Sequence, residues 1–223
     1  MAKEFTIKFN ERSLQYGIII ILAALLLFNI FGGSSAGSNT SSSGSSSSIG
    51  LVSASEIIPK GVPAVYGVEL GVSYDDVSPN NQRLADATIN KLTAYEGEVL
   101  TGELLTRYIK IGSSISCEYC CGAESIIFSN GERACGCAHS YAMRGLAKYL
   151  LLNHADMTDY EILSELGKWK VLFFPGIHEQ KASVMMGEGI DYTDFVNLAS
   201  NKYRGIENGA SASGSGSGMV GGC

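Results

Sequence analysis

The residues of this chain that could carry chemistry are its cysteines, five of which fall within 21 positions of the 223-residue sequence. Cys117 and Cys120 form a C-x2-C pair, and after fourteen intervening residues Cys135 and Cys137 form a C-x-C pair. Cys121 adjoins the first pair. Cysteine sulfur binds soft metal ions, forms disulfides and carries out thiol–disulfide exchange. The spacing therefore predicts one of these three chemistries, concentrated at a single place.

Two cysteine pairs joined by a hairpin are typical of zinc ribbons and zinc knuckles. We predict a metal site in this chain, with Cys121 as a substitute ligand, formed by Cys117, Cys120, Cys135, Cys137 and His139. Zinc is the expected ion. Because the second pair is C-x-C rather than C-x2-C, copper and an iron–sulfur cluster stay open as alternatives.

Disulfides are the second interpretation, in which the cysteines would bind no metal. Thiols outside the cytoplasm are normally oxidised. Five cysteines in the domain leave one over, so we predict that Cys223 pairs with Cys121 or with another chain. A redox-active Cys117-x-x-Cys120 pair is the third interpretation, although the βαβ pattern typical of such a motif does not surround it.

The segment between the two pairs predicts the element that brings them together. Asn130-Gly131 favours a two-residue type I′ turn, because both residues tolerate positive φ. In that register Ile126 faces Cys135, and Glu124 faces Cys137. We therefore predict a β-hairpin knuckle that folds the two cysteine pairs onto each other.

The rest of the domain predicts a mostly α fold. Apolar residues recur at helical spacing in four segments, at 80–94, 101–112, 140–153 and 158–174. Thr158 and Glu161 have the spacing of a capping box at the start of the last segment. Shorter helices are expected at 179–187 and 192–199, whereas the Pro- and Gly-rich stretch 57–79 is expected to be extended and irregular.

The N-terminal sequence predicts a membrane anchor. The run from Tyr16 to Phe31 is apolar apart from Asn29. A helix of this length spans about 24 Å, a little short of the ~30 Å hydrocarbon core, and two preceding residues can extend it. Basic residues precede the run and none follows closely, which places the N-terminus in the cytoplasm. A cleaved signal peptide, with Ser34-Ser35-Ala36 as its cleavage site, is the alternative.

The predicted organisation has five parts along the chain. They are a cytoplasmic N-terminus at 1–13, a transmembrane signal-anchor at 14–31, a Ser/Gly linker at 32–48, an extracytoplasmic Cys-rich helical domain at 49–207 and a flexible Gly/Ser tail at 208–223. A formal net charge of −6 and a pI near 5.1 argue against binding to nucleic acid. The sequence contains no His-Glu-x-x-His, and its Gly-x-Ser-x-Gly match at 33–37 lies in the Ser/Gly linker, so we expect a protein that is not an enzyme.

Three stretches carry a resemblance to a known family: "SCEYCCGAESIIFSNGERACGCAHSYAMRGLAKYLL", "ELGKWKVLFFPG" and "LASNKYRGIE". Over about residues 56–207 the chain resembles a family of membrane-anchored, cysteine-rich archaeal proteins with no established activity. The resemblance implies an external cysteine-rich domain. The Cys-Gly-Cys…His run is also similar to bacterial lipoproteins with a Pro-Cys-Tyr-Cys-Gly-Cys motif, although this chain has no Pro-Cys-Tyr.

We predict a single-span membrane protein whose external domain binds a metal ion, either structurally or in metal handling. A thiol–disulfide or disulfide-stapled surface module is one alternative. A non-enzymatic adaptor, in which the metal only stabilises the fold, is the other. The predicted partners are the metal ion and the membrane, and the sequence identifies no protein partner.

Overall fold

The computed structural model of the chain describes residues 51–209 and 219–221. The predicted cytoplasmic segment, transmembrane helix and linker lie outside these ranges, as does most of the predicted tail. Within these ranges, no helix is both long enough and apolar enough to cross a membrane. The structure therefore does not support the transmembrane helix in the predicted fold class, whereas the part that it describes is mostly helical.

Nine α-helices and three short 3-10 turns form the described part of the chain. The helices are α1 (Ala54–Ile57), α2 (Gly67–Leu70), α3 (Gln82–Thr93), α4 (Gly102–Ser113), α5 (Glu118–Cys121), α6 (Ala138–Asn153), α7 (Asp159–Phe173), α8 (Pro175–Gly187) and α9 (Phe195–Ala199). The 3-10 turns are Tyr74–Asp76, Asn201–Tyr203 and Ile206–Gly209.

Helix α6 is the centre of the domain, because it packs against α3, α4 and α7. Cys137 caps its first turn, where the sulfur accepts a hydrogen bond from the Ser140 amide at 3.4 Å. Gly145 lets α6 approach α3 closely, since a Cβ atom at this position would overlap the backbone oxygen of Leu92. The buried central helix therefore begins at the second cysteine pair.

Helix α7 begins at the predicted capping box. The Thr158 side chain accepts from the Glu161 amide, and the Glu161 carboxylate accepts from the Thr158 amide, so both hydrogen bonds of the box are present. These bonds satisfy two N–H groups that a helix start otherwise leaves without a partner. The prediction from the sequence is confirmed at this position.

The stretch 57–79 is not extended, as its composition predicts, but contains α2 and the 3-10 turn Tyr74–Asp76. The hydroxyls of Tyr66 and Tyr74 both donate hydrogen bonds to the Glu165 carboxylate on α7, at 2.9 and 2.5 Å. These long-range contacts hold the segment on the domain. Local composition does not encode such contacts, which is why the prediction is wrong here.

The β-hairpin knuckle predicted between the cysteine pairs is wrong, because the described residues contain no β-strand. The two sides of the loop meet at one isolated antiparallel bridge, between Ile127 and Arg133. The Ile126 amide donates to the backbone oxygen of Ile115 at 3.0 Å, and Ile115 lies outside the loop. Ile126 and Ile127 are both buried. Side-chain packing and a few separate hydrogen bonds therefore hold this loop, and no β-ladder forms.

The Asn-Gly turn also differs from the prediction. The Gly131 amide bonds to the Phe128 oxygen at 2.9 Å. Gly131 has a φ of +86°, and no described non-glycine residue has a positive φ. A type I′ turn needs positive φ at both central residues, whereas a three-residue loop needs it only at a final glycine. The register consequently shifts by one residue, and Ala134 instead of Cys135 bonds across to Ile126.

Replacing Gly145 with alanine tests the close contact between α3 and α6. We expect Gly145→Ala to lower the free energy of unfolding by about 1–3 kcal/mol, because the helices must move apart. Gly97→Ala is the matched control, since a Cβ there meets no atom within 4 Å. Urea unfolding of both variants under non-reducing conditions measures the effect. Equal midpoints for the two variants would contradict the packing described here.

Candidate metal centre

The sulfur atoms of the two cysteine pairs lie together in the interior. Cys137 Sγ lies 3.2 Å from Cys117 Sγ and 3.5 Å from Cys135 Sγ. Two groups of potential ligand atoms meet at Cys137, and within each group all these atoms lie within 4.8 Å of one another. The groups are Cys117, Cys120, Cys137 and His139, and Cys121, Cys135 and Cys137. The cysteine clusters could therefore bind a metal ion, and the predicted site residues are all brought together.

His139 lies on the first turn of α6 and is fully buried. Its Nε2 lies 2.8 Å from the backbone oxygen of Val220. Because a carbonyl oxygen can only accept, Nε2 carries a proton. Metal-binding histidines commonly donate their other ring N–H to a backbone carbonyl in this way. The bond to Val220 therefore orients the ring, and Nδ1 is the nitrogen through which His139 could bind a metal ion.

The oxidation state divides the cysteines into two classes. Cys121 and Cys135 form a disulfide, and Cys120 is also disulfide-bonded. Cys117 and Cys137 are buried free thiols. The predicted pairing of Cys121 with Cys223 is wrong because Cys121 is bonded to Cys135, and Cys223 itself lies outside the described residues.

The two free thiols share a hydrogen bond that shifts their pKa values in opposite directions. Donation from Cys117 lowers the pKa of Cys137, and hydrogen bonds from His139 and Ser140 lower it further. The same bond raises the pKa of Cys117, and burial raises it again. The pair therefore holds its first negative charge on Cys137, at the N-terminus of α6, where the helix dipole favours an anion.

Arg144, buried on α6, positions the loop that carries Cys135. Its Nη1 donates to the backbone oxygens of Ile126 and Cys135, at 3.0 and 2.9 Å. Its Nε donates to the Glu96 carboxylate at 2.9 Å. The planar guanidinium holds several acceptors in fixed directions. Both sides of the loop are thus attached to the helix that carries Cys137 and His139.

Glu118 positions the α5 turn that carries Cys117, Cys120 and Cys121. Its carboxylate pairs with Lys170 of α7 at 3.0 Å and with Arg204 at 2.8 Å. The Lys170 ammonium also donates to the backbone oxygen of Ala199 at 2.9 Å. Removing one partner from a buried ion pair leaves an uncompensated charge and is strongly destabilising. These contacts therefore anchor the first cysteine pair to the core.

Lys181 and His178 lie in the same charged region and are both fully buried. Lys181 Nζ and His178 Nε2 make no hydrogen bond to any described residue. Burial lowers the pKa of Lys181 to about 8 and holds the pKa of His178 well below its usual value. Lys170 adds to both shifts by repulsion. Lys181 therefore opposes folding while it is charged. Burial also lowers the pKa of Lys170, although Glu118 opposes that shift.

Sequence reasoning missed Arg144, Lys170 and Val220, which position the site without taking part in its motif. Val220 is fully buried, and its amide donates to the Phe173 oxygen at 2.9 Å. The available signal was the Met219-Val220 pair, the only large apolar residues in a tail of Gly, Ser and Ala. Buried cations give no comparable signal, because lysine and arginine normally indicate an exposed face.

Comparison of the chain with protein-family models, with curated proteins and with solved structures finds no match. The site's geometry is therefore the basis for the function proposed below.

Replacing the two buried lysines of α7 and α8 is expected to have opposite effects on stability. Lys170→Met removes one of the two cations that pair with the Glu118 carboxylate, so the free energy of unfolding at pH 7 should fall by about 1–3 kcal/mol. Lys181→Met removes a buried ammonium without a hydrogen-bond partner among the described residues. It should raise the free energy of unfolding by on the order of 1–3 kcal/mol. The midpoints of urea unfolding of the two variants and the parent chain measure both effects.

The stabilisation by Lys181→Met should also depend on pH. The folded pKa of about 8 lies below the ordinary value of 10.5, so the unfolded chain binds the proton more tightly. The penalty for burying Lys181 is therefore complete below pH 8 and disappears as the pH rises to about 10.5. The advantage of the variant should shrink over the same window. A constant advantage, or destabilisation at pH 7, would contradict the buried-charge assignment.

Proposed function

We propose that this domain binds one soft metal ion, zinc or copper(I), through Cys117, Cys137 and His139. The observation that carries the proposal is the convergence of these donor atoms, with that of Cys120, within 4.8 Å of one another. Thiolate and imidazole are the donors that both ions prefer. Cys120 and Cys135 are left out of the ligand set because each is disulfide-bonded, and a metal needs the thiolate.

The hydrogen bond of His139 supports coordination by its ring. The Val220 carbonyl accepts from Nε2 and orients the imidazole, as the partners of metal-binding histidines do. Besides the bond from Cys117, a hydrogen bond from His139 lowers the pKa of the Cys137 thiol, so the ring lies against this sulfur, and an ion bound by both residues would displace the shared proton. The imidazole ring packs against the Phe173 ring, with 4.7 Å between the ring centroids, and this contact limits the movement of the imidazole.

The oxidation states of the cysteines also support a bound ion. Two thiols 3.2 Å apart would be expected to oxidise in an environment that keeps neighbouring cysteines as disulfides. Coordination occupies the sulfur lone pair with which a thiolate would attack a disulfide or an oxidant, and so protects the thiolates. A metal at Cys117 and Cys137 therefore accounts for reduced and oxidised cysteines within one cluster.

The burial of the ligands favours holding the ion over rapid exchange or catalysis. Cys117 and His139 are fully buried, and Cys137 is 9% exposed. Three protein ligands would leave the fourth position of a zinc ion for a water, but the burial of these ligands limits access to it. We propose that the ion joins α6 to the α5 turn and dissociates slowly. Its contribution is then to the stability of the fold and to the state of the surrounding sulfurs.

The disulfides support an extracytoplasmic location for the domain, because such bonds persist in oxidising compartments and are rare in the cytoplasm. This agrees with the orientation predicted from the charges around residues 14–31. The membrane anchor itself remains a prediction from the sequence. We propose an external metal-binding domain, and its attachment can be tested independently by fractionation of membranes.

Metal binding by the full-length chain tests the proposal. Protein purified without oxygen or reductant should bind one equivalent of zinc or copper(I), measured by elemental analysis after dialysis. His139→Gln should weaken binding by at least about tenfold, the size of effect known for groups that support metal sites. His154→Gln is the matched control, because His154 lies at the other end of α6, paired with Glu69 at 3.1 Å.

Cys137→Ser provides a second variant in case His139→Gln does not fold. It should also lose the ion, whereas circular dichroism should show the helical content of the parent chain. If the parent chain binds neither zinc nor copper(I), or if the His139 and His154 variants bind equally well, the proposed function is wrong.

A further inference from the structure

Cys137 contacts both the other free thiol and a disulfide, and this arrangement has a chemical consequence. Its sulfur lies 3.2 Å from Cys117 Sγ on one side and 3.5 Å from Cys135 Sγ on the other. Both distances correspond to sulfur atoms in contact. Thiol–disulfide exchange proceeds when a thiolate attacks one sulfur of a disulfide. Three of the four sulfurs needed for two successive exchanges are therefore already adjacent, and the fourth, Cys121, is bonded to Cys135.

We propose that, when the metal leaves, the disulfide moves inward from Cys121–Cys135 to Cys117–Cys137, so that metal release uncovers a reactive thiol at the surface. The inference rests on the proposed function for the identity of the ligands. It adds an exchange activity and a form of regulation to that site. The substrates of this activity would be disulfides or electrophiles that react with the newly exposed Cys121 thiol.

The first step is attack by the Cys137 thiolate on Cys135 Sγ. A Cys135–Cys137 bond forms, the Cys121–Cys135 bond breaks, and Cys121 leaves as a thiolate that takes a proton from water. Cys121 is exposed, whereas Cys135 is 5% exposed. The leaving sulfur therefore enters solvent, which favours its departure as an anion. Gly136, between the two bonded residues, has open space around it and allows the bend.

The second step is attack by Cys117 on Cys137 Sγ. A Cys117–Cys137 bond forms, the Cys135–Cys137 bond breaks, and Cys135 leaves as a thiolate. The two hydrogens lost from Cys117 and Cys137 are regained by Cys121 and Cys135. One disulfide and two thiols are present before and after, so the shift needs no external oxidant or reductant.

A metal bound by Cys117 and Cys137 blocks both steps, because each needs one of these sulfurs as a free nucleophile. The metal and the inner disulfide therefore compete for the same two sulfurs. Competition of this kind is reciprocal: the ion holds the disulfide at Cys121–Cys135, and the inner disulfide excludes the ion. At a metal concentration about 100 times Kd, the ratio of shifted to unshifted chains should fall about 100-fold.

Mapping of the disulfides in the full-length chain tests the inference. Samples loaded with zinc and samples treated with a chelator are quenched in acid, alkylated, digested and analysed by mass spectrometry. Metal content is measured on the same samples. Alkylation of Cys121 is the readout, since it reports the shift independently of the bond at Cys120. We expect Cys121 to be alkylated after chelation, and the alkylated fraction to fall about 100-fold in zinc.

Two variants distinguish the steps of the exchange. Cys137→Ser removes the first nucleophile, so Cys121 should remain unalkylated after chelation. Cys117→Ser should stop the reaction at the Cys135–Cys137 bond, with Cys121 alkylated and Cys135 protected. Both variants retain the Cys121–Cys135 disulfide as a starting point, and urea unfolding establishes that each is folded before it is mapped.

Different results separate this inference from the proposed function. A chain that binds one ion, yet keeps Cys121 unalkylated after chelation, would overturn the inference and leave metal binding intact. Alkylation of Cys121 to the same extent with and without zinc would overturn the coupling. A shift in a chain that binds no metal would overturn the proposed function and the coupling together.

Discussion

The arrangement of the site depends on the buried guanidinium of Arg144. It lies on the central helix α6, two turns after the start that Cys137 caps, and it bonds to the loop on both sides of its turn. Glu96 offsets its charge within the core. The isolated bridge, the hydrogen bond of the turn and the Cys121–Cys135 disulfide also join the two sides of the loop. The position of Cys135 relative to Cys137 therefore depends in part on a side chain outside the cysteine motif.

A second ionic contact fixes the other half of the site. Glu118 attaches the α5 turn to Lys170, a buried residue of α7. The two halves meet where Cys117 contacts Cys137. Buried ion pairs contribute less to net stability than their Coulomb attraction suggests, because both partners lose water. These ionic contacts fix positions: one holds the loop that carries Cys135, and the other holds the α5 turn that carries Cys117. The contacts of both sulfurs with Cys137 result from these positions.

How much of this could be predicted from the sequence depends on the range of the interactions. The long helices follow from apolar periodicity, and the capping box at Thr158 follows from local spacing. The Asn-Gly signal located a turn correctly but gave the wrong type, because Gly131 alone supplies the positive φ. The lysine and arginine anchors and the covering Val220 depend on contacts far apart in the chain, which no local pattern encodes. The grouping of the cysteines was predictable, and their division into thiols and disulfides was not.

X-ray absorption by the metal-loaded full-length chain tests the central claim most directly, because it counts the sulfur atoms around the ion. Ligation by Cys117, Cys137 and His139 predicts two sulfur neighbours at about 2.3 Å and, for zinc, a nitrogen at about 2.0–2.1 Å. Four sulfur neighbours would mean that both cysteine pairs bind the ion and the disulfide is absent. That result, or a shell without sulfur, would contradict the account.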